Sequence, residues 1–153
     1  MKYKIKAYNL QELGQRQNQE DSLFPALGKS TSDDRLFVLC DGMGGHEKGE
    51  VASATVCETI SGTILSEWNP NEALSDELFL QGLSAAYDAL DAKDNGEERK
   101  MGTTLTFLCL HTNGATVAHI GDSRVYQLRP ASKKSLAPNG WRKVSSSIRL
   151  TFQ

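Results

Sequence analysis

The sequence predicts an α+β domain built on antiparallel sheet, and three observations point there. Short apolar runs bounded by turn residues stand before and after two helical stretches instead of alternating with them. Thr112-Asn113-Gly114 separates two strand-like runs as a tight hairpin turn, a connection that antiparallel neighbours use. The 153 residues are one domain's worth of chain, enough to bury about two-thirds of the unfolded surface in a single core.

Taken in order, Tyr3, Ile5 and Ala7 alternate with lysines and predict a half-buried first strand. A polar loop follows, in which Arg16 lies four residues before the adjacent Glu20 and Asp21. Leu23 and Phe24 begin a strand that Pro25 breaks, and Gly28 to Asp34 has turn composition. That turn leads, as in a hairpin, to Leu36-Phe37-Val38-Leu39-Cys40, a continuous apolar run that suits a strand buried on both faces. The run ends on Asp41, which places this carboxylate at the strand's C-terminal mouth. The glycine-rich turn that follows permits a close approach of backbone to ligand.

From Gly49 the pattern is helical, with Ala52, Val56, Ile60 and Ile64 on one face before Trp68. Asn69-Pro70-Asn71 breaks it. Ser75 with Asp76 and Glu77 resembles an N-cap with an acidic first turn. Leu78, Gly82, Ala85, Ala86, Ala89 and Leu90 then give a second amphipathic helix ending near Asp94-Asn95-Gly96. Leu105 to Leu110 predicts a second buried strand, Ala115 to Ile120 its return, and Val125 to Leu128 a continuation. Pro130 to Gly140 is a loop, and Trp141, Val144, Ile148 and Leu150 predict one more strand.

Composition narrows the function classes. A net charge of −2 without a basic block gives no electrostatic case for nucleic acid or an anionic membrane. No apolar run reads as a signal peptide or spans a bilayer. Cys40, Cys57 and Cys109 are an odd set without C-x-x-C, as expected of buried reduced thiols in a cytoplasmic protein. The glycines after Asp41 do not fit G-x-G-x-x-G and no G-K-[ST] follows, which argues against nucleotide binding. His111 and His119 flank the hairpin and read as structural residues.

Three acidic features remain: Glu20-Asp21 in a loop, Asp41 after a strand, and Asp122 after another. Carboxylates without nearby His or Cys are hard oxygen ligands that suit Mg²⁺ or Mn²⁺ better than zinc. Brought together, they repel one another unless a cation neutralises them. The plainer reading is that each is a solvated turn residue.

Four motifs then occur in order: Gly14-x-Arg16-x-x-x-Glu20-Asp21, Asp41-Gly42-Met43-Gly44-Gly45-His46-x-x-Gly49-Glu50-x-Ala52-Ser53, Gly102-Thr103-Thr104 and Gly121-Asp122-Ser123-Arg124. Together they resemble the metal-dependent protein phosphatases, the type 2C serine/threonine phosphatases, in their bacterial form. The resemblance implies a four-layer α-β-β-α sandwich of two antiparallel sheets flanked by helices. It implies that Asp41 bridges two Mg²⁺ or Mn²⁺ ions, with the Gly42 carbonyl and Glu20 completing one shell. Asp21 would hold metal-bound water, Asp122 would help bind a third ion, and Arg16 would grip the substrate phosphate with its planar fork. Water activated between the ions would attack phosphorus, and no phosphoenzyme is needed. The implied partner is a phosphoprotein substrate of a Ser/Thr kinase, acted on by a monomer.

Two departures accompany the likeness. Met43 stands where animal members carry a histidine thought to be the general acid, and His46 is the nearest alternative. The family's domain is also longer, and two further metal-binding aspartates of its C-terminal part have no counterpart, since no Asp follows Asp122. Residues 1–153 are therefore expected to form the N-terminal portion of a single phosphatase domain, with the sandwich incomplete at its C-terminus. A pseudophosphatase, binding metal or phosphoprotein without turnover, is the alternative.

Overall fold

The structure is a computed structural model and describes residues 4–44, 48–94, 96, 100–112, 114–128, 141–144 and 150–152. Its elements are β1 (Asp21–Phe24), β2 (Leu36–Met43), α1 (Lys48–Glu67), α2 (Asp76–Asp91), β3 (Gly102–Thr103), β4 (Leu105–His111), β5 (Gly114–Ile120), β6 (Val125–Leu128), β7 (Trp141–Val144) and β8 (Leu150–Phe152). Every pairing among the described residues is antiparallel. Five strands run in the order β1-β2-β4-β5-β8, β3 continues the ladder beside the end of β2, and β6 with β7 forms a separate ribbon.

Helix α1 lies across this sheet because its stripe of Ala52, Val56, Ile60 and Ile64 is buried, as the four-residue spacing predicts. Polar residues inside the helix satisfy themselves on its own carbonyls: Thr55 Oγ1 donates to the Val51 oxygen at 2.6 Å and Ser61 Oγ to the Cys57 oxygen at 2.7 Å. Helix α2 starts where the sequence places it, with Ser75 Oγ accepting the Leu78 amide at 3.1 Å. It approaches α1 at Gly82, where an added Cβ would lie 3.2 Å from Ile64 Cδ1 and 3.3 Å from Ile60 Cγ1. Phe79 reaches past α1 to meet Phe107 of β4 edge to face, with ring centroids 5.1 Å apart and planes at 71°. Leu36, Val38 and Cys40 of β2 and Leu105, Phe107 and Cys109 of β4 complete the core.

Several sequence expectations change. Residues 4–10 form no strand: Tyr8 and Leu10 are exposed, and Asn9 Nδ2 holds the segment to the Pro25 and Ala26 carbonyls instead of a ladder. β2 is not buried on both faces. Leu36, Val38 and Cys40 are buried, while Phe37 is half-buried and Leu39 is 38% exposed. The cause is one-sided cover, since both helices pack on the Val38 side. β2 also continues through Asp41 and Gly42 to Met43, so Asp41 lies within a strand and not at its end. The stretch predicted as one strand after Gly140 divides between two sheets, as β7 and β8. Gly45, His46, Asn113 and the 130–140 loop lie outside the described residues.

On the far side of the sheet, Tyr8, Leu10, Phe37, Leu39, Leu108 and Tyr126 border a groove of about 360 Å³. One helical layer, the main sheet and the β6 edge across its opposite face thus account for the described part of the sandwich. The three thiols are buried and free, as expected, and burial pushes Cys109 up to about 12.

Because Phe107 is fully buried between sheet and α2, Phe107→Ala should destabilise the chain by about 3–5 kcal/mol. Ser75→Ala removes one cap and should cost about 1 kcal/mol. Urea denaturation followed by circular dichroism should rank the two in that order.

Candidate functional site

The β1–β2 ladder sets the centre of the site. Its register places Asp21 directly opposite Asp41, and residues opposite one another on antiparallel strands point to the same face. The two carboxyls are near enough to act on one another's charge. Asp21 is held above the usual carboxylate range, first by burial, then by the charge of Asp41, with Glu20 adding to the rise and Arg16 opposing it.

The backbone carrying Asp41 is pinned on both sides by Thr104. The Asp41 amide donates to Thr104 Oγ1 at 3.0 Å, and the Thr104 amide donates to the Asp41 carbonyl at 2.9 Å. One residue further, the Gly42 amide donates to the Glu20 carbonyl at 3.0 Å, extending the pairing beyond β1. A Cβ on Gly42 would overlap the Gly49 carbonyl oxygen, and one on Gly49 would come within 2.9 Å of Glu20 Cδ. Glycine at both positions lets α1 start directly against β2, with the Glu20 carboxyl beside the first turn of α1, where the positive end of the helix dipole favours it.

Arg16 comes from a turn in which its amide donates to the Leu13 carbonyl at 3.2 Å, with Gly14 at φ +60°. Asp122 comes from the turn between β5 and β6. Arg16, Glu20, Asp21, Asp41, Gly42 and Asp122 all border one cleft of about 680 Å³. The structure thus brings every sequence-predicted site residue to one place. Their closeness is uneven: Asp21 and Asp41 face one another across the ladder, yet no group of three or more acidic, histidine or cysteine side chains among the described residues is gathered tightly enough to hold an ion by itself. Met43 also borders the cleft, while His46 lies outside the described residues.

Residue-type reasoning missed Thr104, Glu12 and Asn18, which share the cleft wall. Thr104 carried a signal in the Gly102-Thr103-Thr104 motif, but its role depends on a contact across 63 positions of sequence. Glu12 and Asn18 carried none.

Comparisons with known proteins identify the family. A family model described as protein phosphatase 2C matches residues 12–148, and the chain belongs to that family. The serine/threonine protein phosphatase PstP of Mycobacterium tuberculosis is 38% identical over 116 residues, which cover 74% of this chain and 21% of that protein. Its crystal structure superposes with a TM-score of 0.65 at 32% identity, covering 86% of this chain and 49% of that one. The PstP catalytic domain in complex with two manganese ions gives a TM-score of 0.64 at 31% identity, over 85% of this chain and 50% of that one. The chain therefore spans about a fifth of full-length PstP and about half of the crystallised domain.

Because the folded state holds the Asp21 carboxyl above its usual range, ionising it works against the fold. Its stabilising contribution is complete below the unfolded-state value and is lost as pH rises through the raised folded-state value. Asp21→Asn should therefore raise the melting temperature of the metal-free chain near neutral pH, by a margin that shrinks toward acid. Calorimetry in the presence of chelator across that range measures it.

Proposed function

We propose that this chain belongs to the working part of a Mg²⁺- or Mn²⁺-dependent phosphoprotein phosphatase that hydrolyses phosphoserine and phosphothreonine esters. The observation that carries the reading is the Asp21–Asp41 carboxyl pair, set in a cleft with Arg16 at its edge. The donor set fits such ions. It is oxygen only, and its acid pair carries a repulsion that a cation relieves. Mg²⁺ keeps several waters and needs only one or two carboxylates, so the absence of a three-carboxylate group among the described residues is compatible with it.

In this reading Asp41, the Gly42 carbonyl and Glu20 would hold the metal, Asp21 would orient water beside it, and Asp122 would serve a further ion. Divalent cations in such a site lower the pKa of a bound water toward neutrality and offset the charge that develops on the transferring phosphoryl group. Arg16 supplies two parallel N–H donors to the phosphate oxygens and so orients phosphorus in the cleft. The Thr104 bonds keep the Asp41 backbone fixed while charge shifts around its side chain. The phosphatase names of the relatives, and the manganese bound to one of them, support substrate class and metal alike.

A second reading, a module that binds metal or phosphoprotein without turnover, draws on the lack of any tight group of three acidic side chains among the described residues. Mn²⁺ titration and p-nitrophenyl phosphate hydrolysis separate the two. The phosphatase reading expects Mn²⁺-dependent turnover that Asp41→Asn abolishes, together with a loss of at least about tenfold in Mn²⁺ affinity. Mn²⁺ binding without turnover favours the module, and no Mn²⁺ binding at all sinks the phosphatase reading.

A further inference from the structure

Thr104 occupies the break between β3 and β4 and makes more contacts than a strand residue needs. The Leu39↔Thr106 pair of β2–β4 and the Gly42↔Thr103 pair of β2–β3 keep one register, and Asp41 falls opposite Thr104 in the gap between the two pairings. Thr104 fills that gap. Its hydroxyl oxygen accepts the Asp41 amide at 3.0 Å and its own amide donates to the Asp41 carbonyl at 2.9 Å. The same hydroxyl lies 2.8 Å from Ser123 Oγ. Since Thr104 Oγ1 is already an acceptor for the Asp41 amide, its proton is free to point at Ser123.

A second contact comes from the Thr104 methyl. Gly121 has φ +95°, and a Cβ there would come within 2.8 Å of Thr104 Cγ2. The turn carrying Asp122 is thus held on one side by a backbone that fits only around this methyl, and on the other by the Ser123 hydroxyl. Thr104 is itself 2% exposed, so water competes little for these bonds.

We propose that Thr104 is a positioning residue that locks the Asp41 strand and the Asp122 turn into one unit, fixing how far apart these two carboxylates stand in the cleft. The proposal rests on the metal-site reading above for its consequence, though not for its geometry. Residues that orient metal ligands from behind change metal affinity by about 10–100-fold when removed. The hydroxyl is the operative group, because Asp41 lacks any other acceptor for its amide in either ladder.

The test compares Thr104→Val, which keeps the shape and loses the hydroxyl, with Thr104→Ser, which keeps the hydroxyl, and with Ser123→Ala at the other end of the link. Two quantities are read on the intact chain: backbone amide chemical shifts by NMR, and Mn²⁺ affinity by titration. Thr104→Val is expected to move the Asp41 and Asp122 amide shifts and to weaken Mn²⁺ binding about tenfold, while Thr104→Ser restores the shifts and brings affinity to within about twofold of the natural chain. Ser123→Ala, which leaves the Asp41 bonds intact, should move the Thr104 amide shift across the link and serves if Thr104→Val does not fold. In an Asp122→Asn background Ser123→Ala should have no further effect on Mn²⁺ affinity.

An Asp122 amide shift unmoved in Thr104→Val, together with a Thr104 amide shift unmoved in Ser123→Ala, overturns the proposal, as does weakened Mn²⁺ binding that Thr104→Ser fails to restore. If the natural chain binds no Mn²⁺, the metal-site reading falls and the link is judged by the amide shifts alone.

Discussion

Two carboxyl groups facing one another across neighbouring strands are the costly feature on which this end of the molecule depends. Asp21 and Asp41 are opposed by ladder register, which sets both side chains on one face of the sheet. Burial and the neighbouring Asp41 charge together disfavour the ionised form of Asp21. A fold built only for stability would place apolar or oppositely charged groups there. The core between α1, α2 and the sheet supplies the compensation, with Leu36, Ile60, Ile64, Leu74 and Phe107 all essentially removed from solvent.

Around this pair the structure divides its work between rigid and adaptable parts. Asp41 belongs to a strand anchored by Thr104, and Glu20 is wedged against the first turn of α1 by the contact that only Gly42 and Gly49 permit. Arg16 and Asp122 come from turns. The facing pair thus sits on paired strands, while the Arg16 segment keeps the freedom of a turn.

Much of the fold was legible because it is local. The four-residue spacing from Ala52 to Ile64, the Ser75 cap and the Thr112 hairpin each rest on physics confined to a few neighbouring residues, and each reappears in the structure. The failures share a cause. The alternation of Tyr3, Ile5 and Ala7 is a strand pattern, but an isolated pattern forms no ladder, and the described part of that segment is held instead by Asn9. The apolar run from Leu36 to Cys40 looked two-sided because hydrophobicity alone does not say which face a helix will cover.

Residue order alone carries the chemical inventory: carboxylates, an arginine beside them, glycines at the crowded turns, and a succession of motifs specific enough to mark the family. Tertiary structure alone decided the spacing among them. That Asp21 faces Asp41, that Thr104 holds Asp41 and reaches Ser123, and that Asp122 enters the same cleft are consequences of strand register and of contacts between residues 19 to 63 positions apart. Such distances are fixed only when the whole sheet closes, because no local preference of the chain encodes which strand will lie beside which.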